Sequence, residues 1–490
     1  MTAPSSLTAS EQFQIALDHI RHHQLDTKER RPLLNLPAVS PRRGIKGDGP
    51  IGGVPGDMWD TASQLRTGAV SVDDVVARAS QRIRDHSERL NAFEYVANVE
   101  VTAAAMARDA ASGVWRGPLH GLPISVKDII DVQGMPTTGS SRALAPRVAE
   151  YDARAVDRLR TAGALIMGKA VTHEFALGVT TPQSHSPWDE SRIPGGSSGG
   201  SVISVVTGMA LGSLGTDTRA SIRVPSALSG AVGFRPTTGV VPVDRWLTLS
   251  WSMDVFAPMA RSVRDVALMM DVLTASGQTY REALPGSLAG MRLAYSDAFL
   301  TGAEPSVRDA FDDALQAATR AGAGVRERRD PTSGDVALCN TAGMIVSRAE
   351  AAQSHLEAGT DLSLCTDEVG GQLGEAREVL ATDYLRCLRI RDELYDRFMA
   401  MFDDTDLLIM PTSKVVAPPR SEADRYLMAL SENCIAWSLL GMPAISLPMG
   451  VANGLPMGVQ LVAPPGQDAF LLACAHALEA ELPVMPVWQS

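Results

Sequence analysis

Apolar residues recur every three or four positions after Ser71, at Val72, Val75, Val76, Ala79 and Ile83, the spacing of one buried helix face. Ser71 ahead of Asp73 and Asp74 reads as an N-cap followed by an acidic first turn. Short apolar runs then alternate with such helices. The spacing predicts strands over 123–126 and 164–168, separated by a helix over 155–162 that ends at Gly163. The rhythm returns with a strand at 291–295, a helix at 307–321 and a strand at 324–325. Residues 335–400 read as mostly helical; 407–411, 443–447 and 458–462 are further core strands, and a helix over 469–481 closes the chain. Helices alternating with short apolar strands predict one large α/β domain, a central mixed, mostly parallel sheet covered by helices on both faces.

That domain is expected to span 57–490, with 335–440 as a helical cover over the site. Residues 1–56 read as a separate lead. A helix over 12–22, with Phe13, Ile15, Leu17 and Ile20 as its apolar positions, runs into a Pro/Gly/Arg-rich connector over 37–56. Packing of this arm on the body, packing on a second protomer, and disorder all remain open.

Composition narrows the function classes. The chain has 490 residues, 45% of them hydrophobic and 20% charged, ordinary for a globular protein. A net charge of −12 argues against a standalone nucleic-acid binder. Its five cysteines (Cys339, Cys365, Cys387, Cys434 and Cys474) are scattered, so neither a disulfide framework nor a zinc site is expected. The most apolar stretch, 202–214, is short and broken by Ser, Thr and Gly, so no membrane span is expected. The first residues lack a basic segment followed by an apolar run, so a cytoplasmic location is the expectation.

The chemistry concentrates in two Gly-rich turns. Pro194-Gly195-Gly196-Ser197-Ser198-Gly199-Gly200 carries Ser197, and Gly215-Thr216-Asp217-Thr218-Arg219-Ala220-Ser221-Ile222-Arg223 carries Ser221. Glycine lets such turns bring a serine and backbone donors close to a ligand, as acyl transfer requires. Upstream, Gly121-Leu122-Pro123-Ile124-Ser125-Val126-Lys127-Asp128 delivers a lysine from an apolar strand. Burial there would lower its affinity for a proton and make it a base.

Lysine, serine and serine in that order resemble the amidase signature family, amide hydrolases with a Ser–cisSer–Lys triad. Gly168-Lys169-Ala170, Thr172-His173-Glu174-Phe175-Ala176, Pro187-Trp188-Asp189, Val232-Gly233-Phe234-Arg235-Pro236-Thr237, Gly441-Met442-Pro443-Ala444 and Gly454-Leu455-Pro456-Met457-Gly458 fit as well. The resemblance implies the amidase signature fold, Ser221 as nucleophile, Ser197 with a cis peptide bond as proton relay, and Lys127 as base. It implies an oxyanion hole from the backbone N–H groups of Thr218, Arg219, Ala220 and Ser221, supported by Ser198, Asp217 and Arg223. No metal and no organic cofactor are implied. The expected substrate is a small carboxylic acid amide; a homodimer is compatible with the resemblance.

One departure stands out. Arg219-Ala220 occupies the place where the family usually has Gly-Gly before the nucleophile. Arg219 either enters the pocket to pair with a substrate carboxylate or carbonyl, or makes a structural ion pair elsewhere. Trp246 and Trp251 are further candidates for the substrate pocket, against a core role. Two other activities share the fold: the glutaminase-type component of a tRNA-dependent amidotransferase, and a carbamate or urea-amide hydrolase. Gly195-Gly196-Ser197-Ser198-Gly199 also matches the G-x-S-x-G nucleophile elbow, but Pro194 and its polar loop lack the preceding strand. A catalytically dead binding protein rests only on Arg219-Ala220.

Overall fold

Strands and helices alternate along nearly the whole chain. A computed structural model describes residues 7–25, 46–47, 51–54, 56–144, 147–274 and 279–489. Its strands are β1 (Phe93–Val96), β2 (Pro123–Lys127), β3 (Pro136–Thr137), β4 (Arg147–Val148), β5 (Leu165–Ala170), β6 (Gly212–Asp217) and β7 (Val232–Arg235), followed by β8 (Val255–Ala260), β9 (Arg292–Ser296), β10 (Gly324–Arg328), β11 (Leu407–Pro411), β12 (Ala444–Ala452) and β13 (Leu455–Val462). β3 and β4 form a small hairpin; the rest build one sheet in the order β1-β5-β2-β6-β8-β7-β12-β13-β11-β9-β10.

Both faces of this sheet are covered. Along β11, Leu407 and Ile409 belong to one apolar cluster while Leu408 and Met410 belong to another, as the two-residue period of a strand demands. The helices Ser333–Glu357 and Ala381–Met399 cover the second face, Thr332 and Asp335 capping the first of them reciprocally. The helix Val72–Leu90 starts with the expected Ser71 cap and buries Val72, Val75, Val76, Ala79 and Ile83.

The sheet is mixed, but the expectation that it is mostly parallel needs correction. Parallel pairing is confined to β5-β2-β6 and β11-β9-β10; the centre from β6 to β11 is antiparallel. Buried strands are apolar on both faces in either direction, so hydrophobic runs do not report pairing sense. One local signal did exist. Asn453 and Gly454 both take positive φ, 51° and 81°, and join β12 to β13 as a two-residue hairpin.

The leading helix, Ala9–His22, packs on the body, on the helices Ser333–Glu357 and Ala381–Met399. Arg21 forms a two-pronged ion pair with Asp383, its shortest arm 2.6 Å. Phe13, Leu17 and Ile20 are buried as expected, but Ile15 is 54% exposed and Ala16 takes its place. The expected connector falls largely outside the described residues. No described helix is long and apolar enough to cross a membrane.

Candidate active site

Three sequence-distant segments meet at the end of β2. β2 runs parallel to β6, with Val126 opposite Leu214, so Lys127 and the Thr216-Asp217 end of β6 arrive at the same edge of the sheet. Lys127 Nζ donates to Ser197 Oγ at 2.6 Å and to Thr216 Oγ1 at 2.9 Å. The lysine has no exposed surface and no carboxylate partner among the described residues. Burial therefore pushes its ammonium down to about 7; the charges of Asp254 and Asp217 oppose this only partly.

Ser197 is held from its backbone. The Gly196–Ser197 peptide is cis, as the resemblance implied. The Ser197 carbonyl accepts from His173 N–H at 2.9 Å, Thr172 Oγ1 at 3.0 Å and Thr181 Oγ1 at 3.2 Å. The following helix, Gly199–Val206, is almost wholly buried. A side chain at Gly200 would strike the Ala92 carbonyl and the Val171 backbone nitrogen, at 2.3 and 2.5 Å, so the loop descends to the sheet only with glycine there.

Ser221 lies between β6 and the short helix Arg223–Ser229, only 3% exposed. Ser198 N–H donates to the Ser221 carbonyl at 3.3 Å, which brings the two serine loops together. Asp217 organises the turn. Arg223 reaches it at 3.0 and 3.1 Å and Arg235 at 3.2 Å. Burial would raise the Asp217 carboxyl, but these two guanidinium groups overcome it and hold it at about 2. Arg223 also donates to Gln460 Oε1, Ser438 Oγ and the Arg219 carbonyl, at 2.7, 2.6 and 3.0 Å. Thr218 Oγ1 donates to buried Asp254 at 2.6 Å. No intramolecular acceptor takes the N–H groups of Thr218, Arg219, Ala220 or Ser221 among the described residues, whereas that of Ile222 is taken by Asp217 Oδ2.

A family model described as Amidase matches residues 74–472. This chain belongs to the amidase family. Among curated relatives, a component of the glutamyl-tRNA(Gln) amidotransferase of Salinispora arenicola is 34% identical over 471 residues, covering 86% of this chain and 96% of that protein. The protein of the same name from Deinococcus radiodurans is 36% identical over 409 residues, covering 74% and 84%. A crystal structure titled simply as an amidase superposes with a TM-score of 0.79 at 33% identity, over 87% of this chain and all of that one. The peptide amidase of Stenotrophomonas maltophilia superposes with a TM-score of 0.78 at 26% identity, over 90% and 99%. The protein is accordingly a hydrolase of amide C–N bonds.

The structure thus brings Lys127, Ser197, Ser198, Asp217, Arg223 and Ser221 together in one candidate site. Of the two tryptophans, Trp246 shares the buried acceptor Asp254 with Thr218. Trp246 donates through Nε1 to Asp254 Oδ2 at 2.9 Å and stacks edge-on against Phe256, and Trp251 is 52% exposed. Arg219 makes no ion pair among the described residues. Sequence reasoning missed Thr216, which sits inside the Gly-Thr-Asp run, and Asp254, which anchors Thr218, Trp246 and the N–H groups of Leu249 and Ser250. No described group of three or more His, Cys, Asp or Glu side chains is arranged to hold a metal, and the five cysteines are free thiols.

Proposed function

We propose that this amidase hydrolyses a small carboxylic acid amide through an acyl-enzyme on Ser221. The observation that carries this reading is the Lys127–Ser197 pair, a fully buried amine 2.6 Å from a hydroxyl with no carboxylate to hold its proton. Neutral Lys127 accepts the Ser197 proton while Ser197 accepts that of Ser221, whose oxygen attacks the amide carbon. The unclaimed N–H groups of residues 218–221 receive the oxyanion of the tetrahedral intermediate. As the C–N bond breaks, the proton returns through Ser197 to the leaving nitrogen, releasing ammonia or an amine. Water then attacks the ester along the same relay and frees the acid and Ser221. Helical residues 335–440 serve as the cover of the substrate cavity.

The test is intact-mass analysis after a serine-directed phosphonylating probe. Stoichiometric labelling of the wild type, lost in Ser221→Ala and much slower in Lys127→Ala, supports the assignment; an unlabelled but folded wild type contradicts it.

A second reading follows from the relatives named as components of glutamyl-tRNA(Gln) amidotransferase: a glutamine-hydrolysing chain that works with partner chains. Turnover of free amides by the isolated chain favours the first reading. Activity that emerges only with partner chains favours the second.

A further inference from the structure

Two arginines, Arg219 and Arg348, enter no ion pair among the described residues. Arg348, on the helix Ser333–Glu357, is 5% exposed, and its Nε and Nη1 have no hydrogen-bond partner. No ion pair involves it among the described residues; the face of Phe13 lies 4.8 Å from its guanidinium carbon. Arg219 stands two residues before Ser221. Its carbonyl is fixed by Arg223 Nη2 at 3.0 Å and Ser438 Oγ at 2.9 Å, but its guanidinium likewise enters no ion pair or hydrogen bond among the described residues.

The two side chains sense each other. Burial, and then the neighbouring charge of Arg219, push the Arg348 guanidinium down to about 9. Glu368 and Glu375 oppose this from nearby without bonding to it, and Glu368 is engaged by His173 at 3.5 Å and Gln372 at 3.0 Å. Burying the Arg348 guanidinium near the like charge of the partly exposed Arg219 is costly unless a counter-charge arrives. Arginine forks match planar carboxylates in two-point hydrogen bonds. An ammonium-bearing substrate would be repelled, and a neutral one would leave the buried Arg348 guanidinium without a counter-charge.

We propose that Arg219 and Arg348 form a clamp for a carboxylate on the substrate, so that this amidase acts on amides that also carry a free acid group. The clamp rests on the reading that Ser221 attacks the amide. It resolves the departure from Gly-Gly in favour of pocket binding: the side chain added at 219 recognises the substrate, and its backbone stays in the serine turn.

The experiment compares kcat/KM for malonamate, succinamate, glutaramate and 4-carbamoylbenzoate with that for their methyl esters. The wild type is expected to prefer at least one free acid by about 10- to 100-fold, the range of charge-assisted hydrogen bonds. That ratio should fall toward one in Arg348→Gln and in Arg219→Gln, with partial retention in Arg348→Lys. A wild type that turns over the esters as fast as the acids overturns the clamp, as does a preference that survives both glutamine variants. A further measurement uses only the wild type. Succinate should slow labelling of Ser221 by a neutral phosphonylating probe, while dimethyl succinate should not; equal rates overturn the clamp. Absence of labelling without any added acid would instead strike the Ser221 reading itself.

Discussion

Lys127 and Lys169 lie on neighbouring parallel strands, offset by one position, with Val126 of β2 opposite Lys169 of β5 and Lys127 opposite Ala170, and neither has any exposed surface. Burial pushes both ammonium groups down. Their partners differ. Lys169 lies 3.1 Å from the equally buried Asp128 and also donates to Thr137 Oγ1 and the Pro136 carbonyl, each at 2.9 Å. Lys127 has only two hydroxyls, Ser197 and Thr216. Asp128, Thr137 and the Pro136 carbonyl hold Lys169 in place, so that it ties β5 to the hairpin segment. Hydroxyls leave the second free to gain and lose a proton near neutrality. What a buried lysine can do is therefore decided by its acceptors more than by its depth.

Exchanging each lysine for a residue of similar volume should separate the two roles. Lys127→Met should lower kcat by about 10²- to 10⁴-fold, the usual contribution of a positioned base, with no loss in thermal stability. Lys169→Met should do the reverse. It strands the Asp128 carboxylate, and breaking a buried pair costs about 3–5 kcal/mol, visible as a lower unfolding midpoint in calorimetry. Residual folded Lys169→Met should retain phosphonylation of Ser221, and equal kinetic damage from both substitutions would erase the distinction.

The pH dependence sharpens it. With Lys127 titrating at about 7, kcat/KM should rise with pH through that value and then level. Stability should move the same way. Between about 7 and the ordinary lysine value of 10.5, the unfolded chain holds a proton that the folded chain has released. Its unfolding free energy therefore rises with pH across that window, by up to about 1.4 kcal/mol per unit. Chemical denaturation at several pH values should show this slope in the wild type, reduced in Lys127→Met.

The smallest effect belongs to Thr216→Val. Losing one hydroxyl acceptor should cost about 0.5–1.5 kcal/mol of transition-state stabilisation, a fall of roughly 2- to 10-fold in kcat, because Ser197 still holds Lys127. A loss as large as that of Lys127→Met would make Thr216 an equal member of the relay.

Lys127, Ser197 and Ser221 were legible because their Gly-rich and apolar surroundings stand in a recognisable order along the chain. Lys169 lay within the same resemblance, but nothing in Gly168-Lys169-Ala170 reveals that Asp128 meets it. The α/β class and most element positions followed from periodicity. The antiparallel centre did not, because apolar runs such as Pro443 to Leu447 look alike in either direction. Arg348 was illegible for another reason. In Ser347-Arg348-Ala349-Glu350 it reads as an ordinary polar helix position, and tertiary packing, with Phe13 of the leading helix against it, encloses the charge. Likewise Ile15 fits an apolar stripe, yet the helix turns Ala16 inward in its place.

The central claim is that Lys127 gives up its proton near neutral pH in the resting protein. Nitrogen-15 NMR of lysine side-chain Nζ groups, with Lys127→Met assigning the resonance, reads that directly. A titration midpoint near 7 is the predicted result. A midpoint close to the ordinary 10.5 would leave the amine protonated and contradict its role as the base.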